Sequence, residues 1–106
     1  MSNYDLYLDL ILELIEKIEK SLRKPLNDDD TWDAILMRLQ VIGESIKNLP
    51  KDSLKRHSEI NWEKFYSFRN DISHKYIQIP ETIVRSLINE LPAIKKAVTK
   101  IKGELK

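Results

Sequence analysis

Apolar residues recur at alternating steps of three and four along most of the sequence, and this spacing constrains the fold more than any other feature. It is the spacing of side chains on one face of an α-helix. Four stretches carry it: about 3–23, 31–48, 62–74 and 81 onward. With only two glycines and four prolines in 106 residues, the sequence predicts an all-α protein. We expect residues 1–106 to form a single domain, an up-and-down bundle of four to five helices.

Prolines indicate where the helices end and begin. Pro25 ends the first helix, Pro50 follows the second and Pro80 opens the fourth, in the first turn where a missing N–H costs little. Pro92 falls within the fourth segment and predicts that the helix is kinked there or restarts as a fifth helix. Gly43 weakens the second helix by roughly 1 kcal/mol relative to alanine, so we expect another helix to approach it closely.

Several polar and aromatic residues have a structural interpretation that we prefer to a functional one. The run Asp28-Asp29-Asp30 precedes the second helix and predicts an N-terminal cap in preference to a metal cluster. Asn61 predicts a cap for the third helix. His57 lies in the connection 49–60, with a short helical turn at 53–57, and is predicted to be a surface residue. Trp32 and Trp62 lie on apolar stripes, so we expect both in the core or at a dimer interface.

Composition excludes several classes of protein. The chain has no cysteine, which excludes disulfides and thiolate metal sites. No apolar run approaches the roughly 20 residues that a membrane span needs, and the N-terminus does not resemble a signal peptide, so a cytoplasmic protein is expected. The net charge is +1, but residues 1–50 carry six basic and ten acidic side chains whereas residues 51–106 carry twelve and seven. Positive potential in the second half would attract an anionic backbone, although a solvated lysine face explains it equally well.

Residues 69–76 read RNDISHKY, and they bring a cation, an imidazole, an amide and a phenol together. We call this segment the octet. The guanidinium of Arg69 can fork onto a phosphate, and the imidazole of His74 can exchange a proton near neutral pH. Arg69, Ser73 and Tyr76 share one helical stripe, while His74 lies on a neighbouring stripe about 100° or more away. A two-fold dimer in which two octets face one cleft would bring both kinds of side chain together.

The octet resembles the signature of the HEPN superfamily: an arginine followed directly by asparagine, then histidine five residues after the arginine and tyrosine two residues later. The chain is more closely similar to the HepT toxins, which are paired with a minimal nucleotidyltransferase antitoxin. The remaining landmarks fall in the family's order and spacing along nearly the whole chain: Val41-Ile42-Gly43-Glu44-Ser45 with Lys47-Asn48-Leu49-Pro50, Ile60-Asn61-Trp62 ahead of Phe68-Arg69-Asn70, and Glu90-Leu91-Pro92.

The resemblance implies a homodimeric HEPN-like bundle that cleaves RNA, such as tRNA or mRNA, in a composite site. Arg69 and His74 are the predicted catalytic residues, supported by Asn70 and Ser73, and no metal or cofactor is expected. His74 would transfer protons and Arg69 would stabilise charge on the phosphate, leaving a 2′,3′-cyclic phosphate and a 5′-hydroxyl. The tyrosine that matches Tyr76 is the one modified in this family, so AMPylation of Tyr76 by the antitoxin is the expected off-switch.

Other interpretations of the octet remain open at this point. Without the resemblance, Arg69 and His74 would more often be surface ion-pair partners, with Asp71 within reach. Tyr76 could simply be packed in the loop that follows the helix, with its hydroxyl in water. Two other functions compete with the nuclease: a non-catalytic substrate-binding or regulatory subunit of a nucleotidyltransferase, and a plain dimeric interaction module.

Overall fold

The fold is known from a computed structural model that describes residues 3–75 and 79–105, with the backbone alone for residues 69–75. The described residues form helices and their connections, which confirms the prediction of an all-α protein. The five helices are α1 (Asp5–Ser21), α2 (Asp29–Lys47), α3 (Lys51–Lys55), α4 (Trp62–Lys75) and α5 (Glu81–Glu104).

Helix α2 lies between α1 and α4, and α1 also packs against α5. Each long helix places its apolar stripe toward a shared core, as the spacing of those residues predicts. Fully buried members of this core come from four helices: Leu8, Ile11, Ile15 and Ile18 of α1, Ile35, Leu39, Ile42 and Ile46 of α2, Phe65 of α4, and Val84, Leu87, Ile94, Val98 and Ile101 of α5. Burial of this apolar surface is the main force that holds the helices together.

Ion pairs show that α5 runs antiparallel to α1. Near the end of α1, Glu19 Oε1 lies 3.7 Å from Lys95 Nζ. Near the start of α1, Asp9 accepts a hydrogen bond from Lys102 Nζ, further along α5. This bond to the Asp9 carboxylate raises the pKa of Lys102. The pairs lie at the exposed edge of the contact, so they set the register of the two helices more than they stabilise it.

The start of α2 is capped as predicted. Asp28 has an extended backbone, and its Oδ2 accepts hydrogen bonds from the backbone N–H of Thr31 at 3.0 Å and from the Thr31 hydroxyl at 2.8 Å. Both hydrogen bonds lower the pKa of the Asp28 carboxyl; the bond from the Thr31 hydroxyl has the larger effect and the bond from the Thr31 N–H the smaller. Asp29 and Asp30 add negative charge in the first turn, where the helix dipole favours it. The aspartate run is therefore a helix start.

Replacing Asp28 with alanine should destabilise the protein at neutral pH, because it removes the acceptor for both Thr31 donors. We expect the melting temperature to fall by roughly 5 °C. Since the folded pKa lies below the usual value of 3.8, this contribution is present above that pH and is lost as the pH falls through the folded pKa. Thermal melts of both proteins from pH 7 to pH 3 should therefore converge. Asp30→Ala, which removes a carboxylate from the same turn but leaves the cap, should change the melting temperature less at pH 7.

Pro92 does not restart the helix, so that part of the prediction is wrong. Helix α5 continues through it from Glu81 to Glu104. A proline removes one backbone hydrogen bond and costs about 3 kcal/mol inside a helix. Leu87 and Leu91 before the proline and Ile94 after it are all buried on the same face, and this packing outweighs the lost bond. The fifth helix of the bundle is instead α3, in the connection where the sequence predicted a helical turn.

Gly43 is buried within α2. The close approach of another helix to Gly43 stays a prediction. None of the described helices is both long enough and apolar enough to cross a membrane.

Candidate active site

Seven of the eight residues of the octet lie in the last two turns of α4, and Tyr76 follows them in the sequence. Residues 69–75 belong to the helix, so Arg69, Asn70, Ser73 and His74 lie on one continuous segment of backbone. Their side chains are outside the described part of the chain, and so is the whole of Tyr76. The structure therefore places the predicted catalytic and supporting residues on α4, and their mutual geometry stays a prediction. What it describes in full is the scaffold that holds this end of α4.

The first turn of α4 is fixed by Trp62. Its indole N–H donates to the backbone oxygen of Leu54 at 3.0 Å and to that of His57 at 3.1 Å. The side chain is only 7% exposed, which confirms Trp62 as a core residue. Asn61 Oδ1 accepts a long hydrogen bond of 3.3 Å from the N–H of Lys64, as expected of a cap. The connection after α3 and the start of α4 are thus held as one unit.

The prediction that His57 is a surface residue is wrong. It is 7% exposed, and its Nε2 lies 3.3 Å from Oε1 of Glu104 in the last turn of α5. Nδ1 lies 3.7 Å from Oε1 of Glu59 on the other side of the ring. Arg56 Nε approaches the same Glu104 oxygen at 3.6 Å. Because Glu104 is 47 residues away along the chain, only the tertiary fold could reveal that α5 covers this histidine.

The first half of α4 packs into the core through two phenylalanines. Phe65 is 0% exposed and Phe68 is 2% exposed, and the octet begins at the residue after Phe68. Helix α2 packs against α4. On α2, Gly43 and Ser45 of the family landmark are buried and Glu44 is half-buried.

Lys64 links α4 to α5. Its Nζ donates to the Ser86 hydroxyl and lies 3.1 Å from Oε2 of Glu90. Sequence reasoning noted Glu90 as a landmark but did not single out Lys64. The available signal was the pair of opposite charges on two segments both predicted to be helical, which by itself cannot say that the two side chains meet.

The described residues line two clefts beside α4, ahead of the octet. One, of about 380 Å³, is lined by Asn61, Glu63, Lys64, Ser67, Phe68 and Ile83. The other, of about 680 Å³, lies between α3 and α4 and is mainly apolar; Leu54, Ile60, Trp62 and Tyr66 contribute to it. Partial burial in this region raises the pKa of the Tyr66 hydroxyl. In the part of the chain whose side chains are described, no group of three or more histidine, aspartate or glutamate residues could hold a metal ion.

Comparison with known proteins gives consistent matches. Residues 7–101 match the family model described as "HepT-like: Ribonuclease HepT-like". A Thermococcus cleftensis protein named "Probable ribonuclease HepT" is 31% identical over 102 residues, which are 91% of this chain and 93% of that protein. A Caldanaerobacter subterraneus subsp. tengcongensis protein named "Putative RNase TTE0752" is 30% identical over 101 residues, covering 90% of each chain.

A longer relative also matches. The Methanocaldococcus jannaschii protein named "Gamma-glutamylcyclotransferase and putative RNase MJ0434" is 32% identical over 106 residues. The match covers 94% of this chain but only 48% of that protein, so this chain spans about half of its length. No solved structure gave a significant match. The family model covers nearly the whole bundle and the octet, and the chain belongs to the HepT-like ribonuclease family, within the HEPN superfamily.

Proposed function

We propose that this protein is a metal-independent endoribonuclease toxin whose antitoxin is a minimal nucleotidyltransferase. The observation that carries the proposal is the position of the octet. In a chain of the HepT-like ribonuclease family, Arg69 and His74 lie on the final turns of a helix whose first half is fixed in the core. Three relatives bear names that include ribonuclease or RNase. RNA is accordingly the proposed substrate.

The proposed chemistry is cleavage by the neighbouring 2′-hydroxyl of the RNA. One His74 imidazole takes the proton of the 2′-hydroxyl, whose oxygen then bonds to the adjacent phosphorus. The bond from phosphorus to the 5′-oxygen breaks, and that oxygen takes a proton from the His74 imidazolium of the second protomer. Arg69 balances the negative charge that grows on the phosphate oxygens. The products are a 2′,3′-cyclic phosphate and a 5′-hydroxyl, and neither water nor a metal enters the step.

Two protomers are part of this proposal. On one helix Arg69 and His74 lie on different stripes, so a single octet does not direct both side chains to one cleft. A site made from two octets brings both kinds of side chain together, and its two copies of His74 supply a proton donor and a proton acceptor. Asn70, one turn before His74, would orient the imidazole or the phosphate, and Ser73 would add a hydroxyl to the same cleft. We therefore expect the active species to be a homodimer, which light scattering after size-exclusion chromatography would detect.

Tyr76 is the proposed control point. Transfer of AMP from ATP to the tyrosine oxygen would form a phosphodiester bond and release pyrophosphate. The modified residue would carry a bulky anion two residues beyond His74, which would obstruct an RNA phosphate and compete for Arg69. The proposed donor of the AMP is the nucleotidyltransferase antitoxin. Mass spectrometry after co-expression with that partner would detect the added AMP, and Tyr76→Phe would remove it.

The experiment that tests the nuclease is incubation of the purified chain with total tRNA and mRNA in excess EDTA, with the product ends mapped. Mass spectrometry must first show that Tyr76 is unmodified. We expect cleavage that leaves cyclic phosphate ends. A folded, unmodified dimer that leaves RNA intact would contradict the nuclease and favour a non-catalytic subunit of the nucleotidyltransferase. Cleavage that stops when EDTA is added would contradict the metal-independent mechanism.

A further inference from the structure

Lys64 connects α4 to two consecutive turns of α5. Its ammonium group donates to the hydroxyl of Ser86 and forms an ion pair with Glu90, 3.1 Å from Oε2. Ser86 and Glu90 are four residues apart, so they lie one above the other on the same face of α5. A single cation that holds two stacked groups restrains the angle between the helices as well as their separation.

The network is partly withdrawn from water. The side chains of Lys64 and Glu90 are 34% and 29% exposed. Oε2 of Glu90 itself is shielded from solvent and accepts no hydrogen bond in the described part of the chain, so its contact with Lys64 is electrostatic. A carboxylate oxygen in this position depends on its cation, because water cannot replace the ammonium without rearrangement. By comparison, the pair that joins α5 to α1, Lys95 with Glu19, is 3.7 Å long and about half exposed on both sides.

The two ends of the network enclose the octet along the chain. Lys64 lies five residues before Arg69 on α4, and Ser86 lies five residues after Glu81, where α5 begins. The hydrogen bond between them closes a segment with a separation of 22 residues, and this segment contains the whole octet. The network therefore connects α4 to α5 on the two sides of the chain segment that carries the candidate catalytic residues.

We propose that Lys64 is a positioning residue for RNA cleavage: by fixing α4 against α5, it holds the octet in the arrangement that the reaction needs. This inference rests on the proposed function. It also gives a role to Ser86, which accepts a hydrogen bond from Lys64, and to Glu90, which forms an ion pair with Lys64. In this proposal Lys64 acts through the position of α4 and not through contact with the RNA or the reacting atoms. Its effect belongs to the rate of the chemical step and not to the affinity for RNA, because RNA binding would involve other cations.

The test compares Lys64→Met with the parent chain, with Lys64→Arg as the conservative variant and Lys95→Met as the matched control. Methionine keeps the unbranched apolar stem but removes the cation. We expect kcat for RNA cleavage to fall by about 10- to 100-fold in Lys64→Met, the size of effect that a small misplacement of catalytic groups produces, with KM within about threefold. Lys64→Arg should recover most of the lost rate, and Lys95→Met should stay within about twofold of the parent. Circular dichroism must show all four proteins folded at the assay temperature.

A second measurement keeps this inference separate from the nuclease itself. The chain contains two histidines, so the Hε1 protons of His57 and His74 give two proton NMR signals, which His74→Ala assigns. We expect Lys64→Met to move the His74 signal and leave that of His57, while Lys95→Met moves neither. This pattern would show that Lys64 positions the octet even if the parent chain failed to cleave RNA, so failure of the proposed function can be told apart from failure of this inference. An unchanged His74 signal, or a kcat that falls only as far as the folded fraction does, would overturn the inference.

Discussion

Arg69→Ala and His74→Ala should each abolish measurable RNA cleavage by the purified dimer. Loss of a positioned proton donor and acceptor typically costs 10²- to 10⁴-fold in rate, and loss of a group that stabilises transition-state charge costs roughly 10²- to 10³-fold. Because both protomers would contribute to one site, a single substitution removes two copies of the side chain. The measurement is the initial rate of cleavage of a labelled RNA in EDTA, with the variants at the same dimer concentration as the parent.

The matched control for the arginine is Arg85→Ala. Arg85 lies on an exposed turn of α5, where its Nε is 3.0 Å from Oε2 of Glu81, and an exposed pair of this kind contributes little to stability. Arg85→Ala removes one positive charge from the same half of the chain as Arg69→Ala does. Comparing the two variants therefore separates a specific role of Arg69 from general electrostatic attraction of RNA. We expect Arg85→Ala to cleave within about threefold of the parent. Equal loss of activity in Arg85→Ala and Arg69→Ala would reduce Arg69 to one of several phosphate-attracting cations.

Phe65→Ala should destabilise the protein strongly and lower its resistance to urea. Phe65 is 0% exposed and sits in the middle of the packed face of α4, between the fixed first turn and the octet. Truncating a buried phenylalanine to alanine costs about 3–5 kcal/mol, from lost burial and from the cavity left behind. A domain of this size is typically stable by only about 5–15 kcal/mol, so the substitution removes a large share of the total. Urea denaturation followed by circular dichroism would measure the shift in midpoint.

Met37→Ala is the control for this prediction, because it removes a comparable apolar volume from α2 at a side chain that is 59% exposed. Exposed substitutions usually change stability by less than about 0.5 kcal/mol. A similar loss of stability in both variants would mean that the core does not converge on α4 in the way described. In Phe65→Ala, RNA cleavage should fall with the folded fraction, unlike Arg69→Ala, which should stay folded and inactive.

The positions of the helices were largely predictable because they depend on local chemistry. A stripe of apolar residues at helical spacing favours an amphipathic helix whichever helix it packs against. Asp28 caps α2 by accepting a hydrogen bond from Thr31, only three residues away. The sequence also proposed the candidate catalytic residues, Arg69 and His74, because they share one short segment; the structure places that segment on α4, and the catalytic role stays a prediction. Family membership confirms the coarse function that this segment indicated.

Predictions failed where a residue's environment is set by distant parts of the chain. The backbone chemistry of Pro92 allowed a new helix to start there, but the packing of Leu91 and Ile94 on both sides keeps α5 continuous. The alternative, a kink at Pro92, stays a prediction. His57 follows two basic residues in a connection, a pattern typical of surfaces. It is nevertheless buried, because the last turn of α5 brings Glu104 against its ring.

The sequence by itself therefore determined the helical class, the helix starts and the identity of the octet, because each of these depends on residues that lie close together along the chain. Only the tertiary structure shows that α5 covers His57 and that Trp62 fixes the start of α4. It alone also shows that Lys64 donates to Ser86 and pairs with Glu90. The physical reason is the range of the interaction. Helical periodicity and capping act over three or four residues, whereas the choice of partner for a buried polar group depends on how whole helices pack.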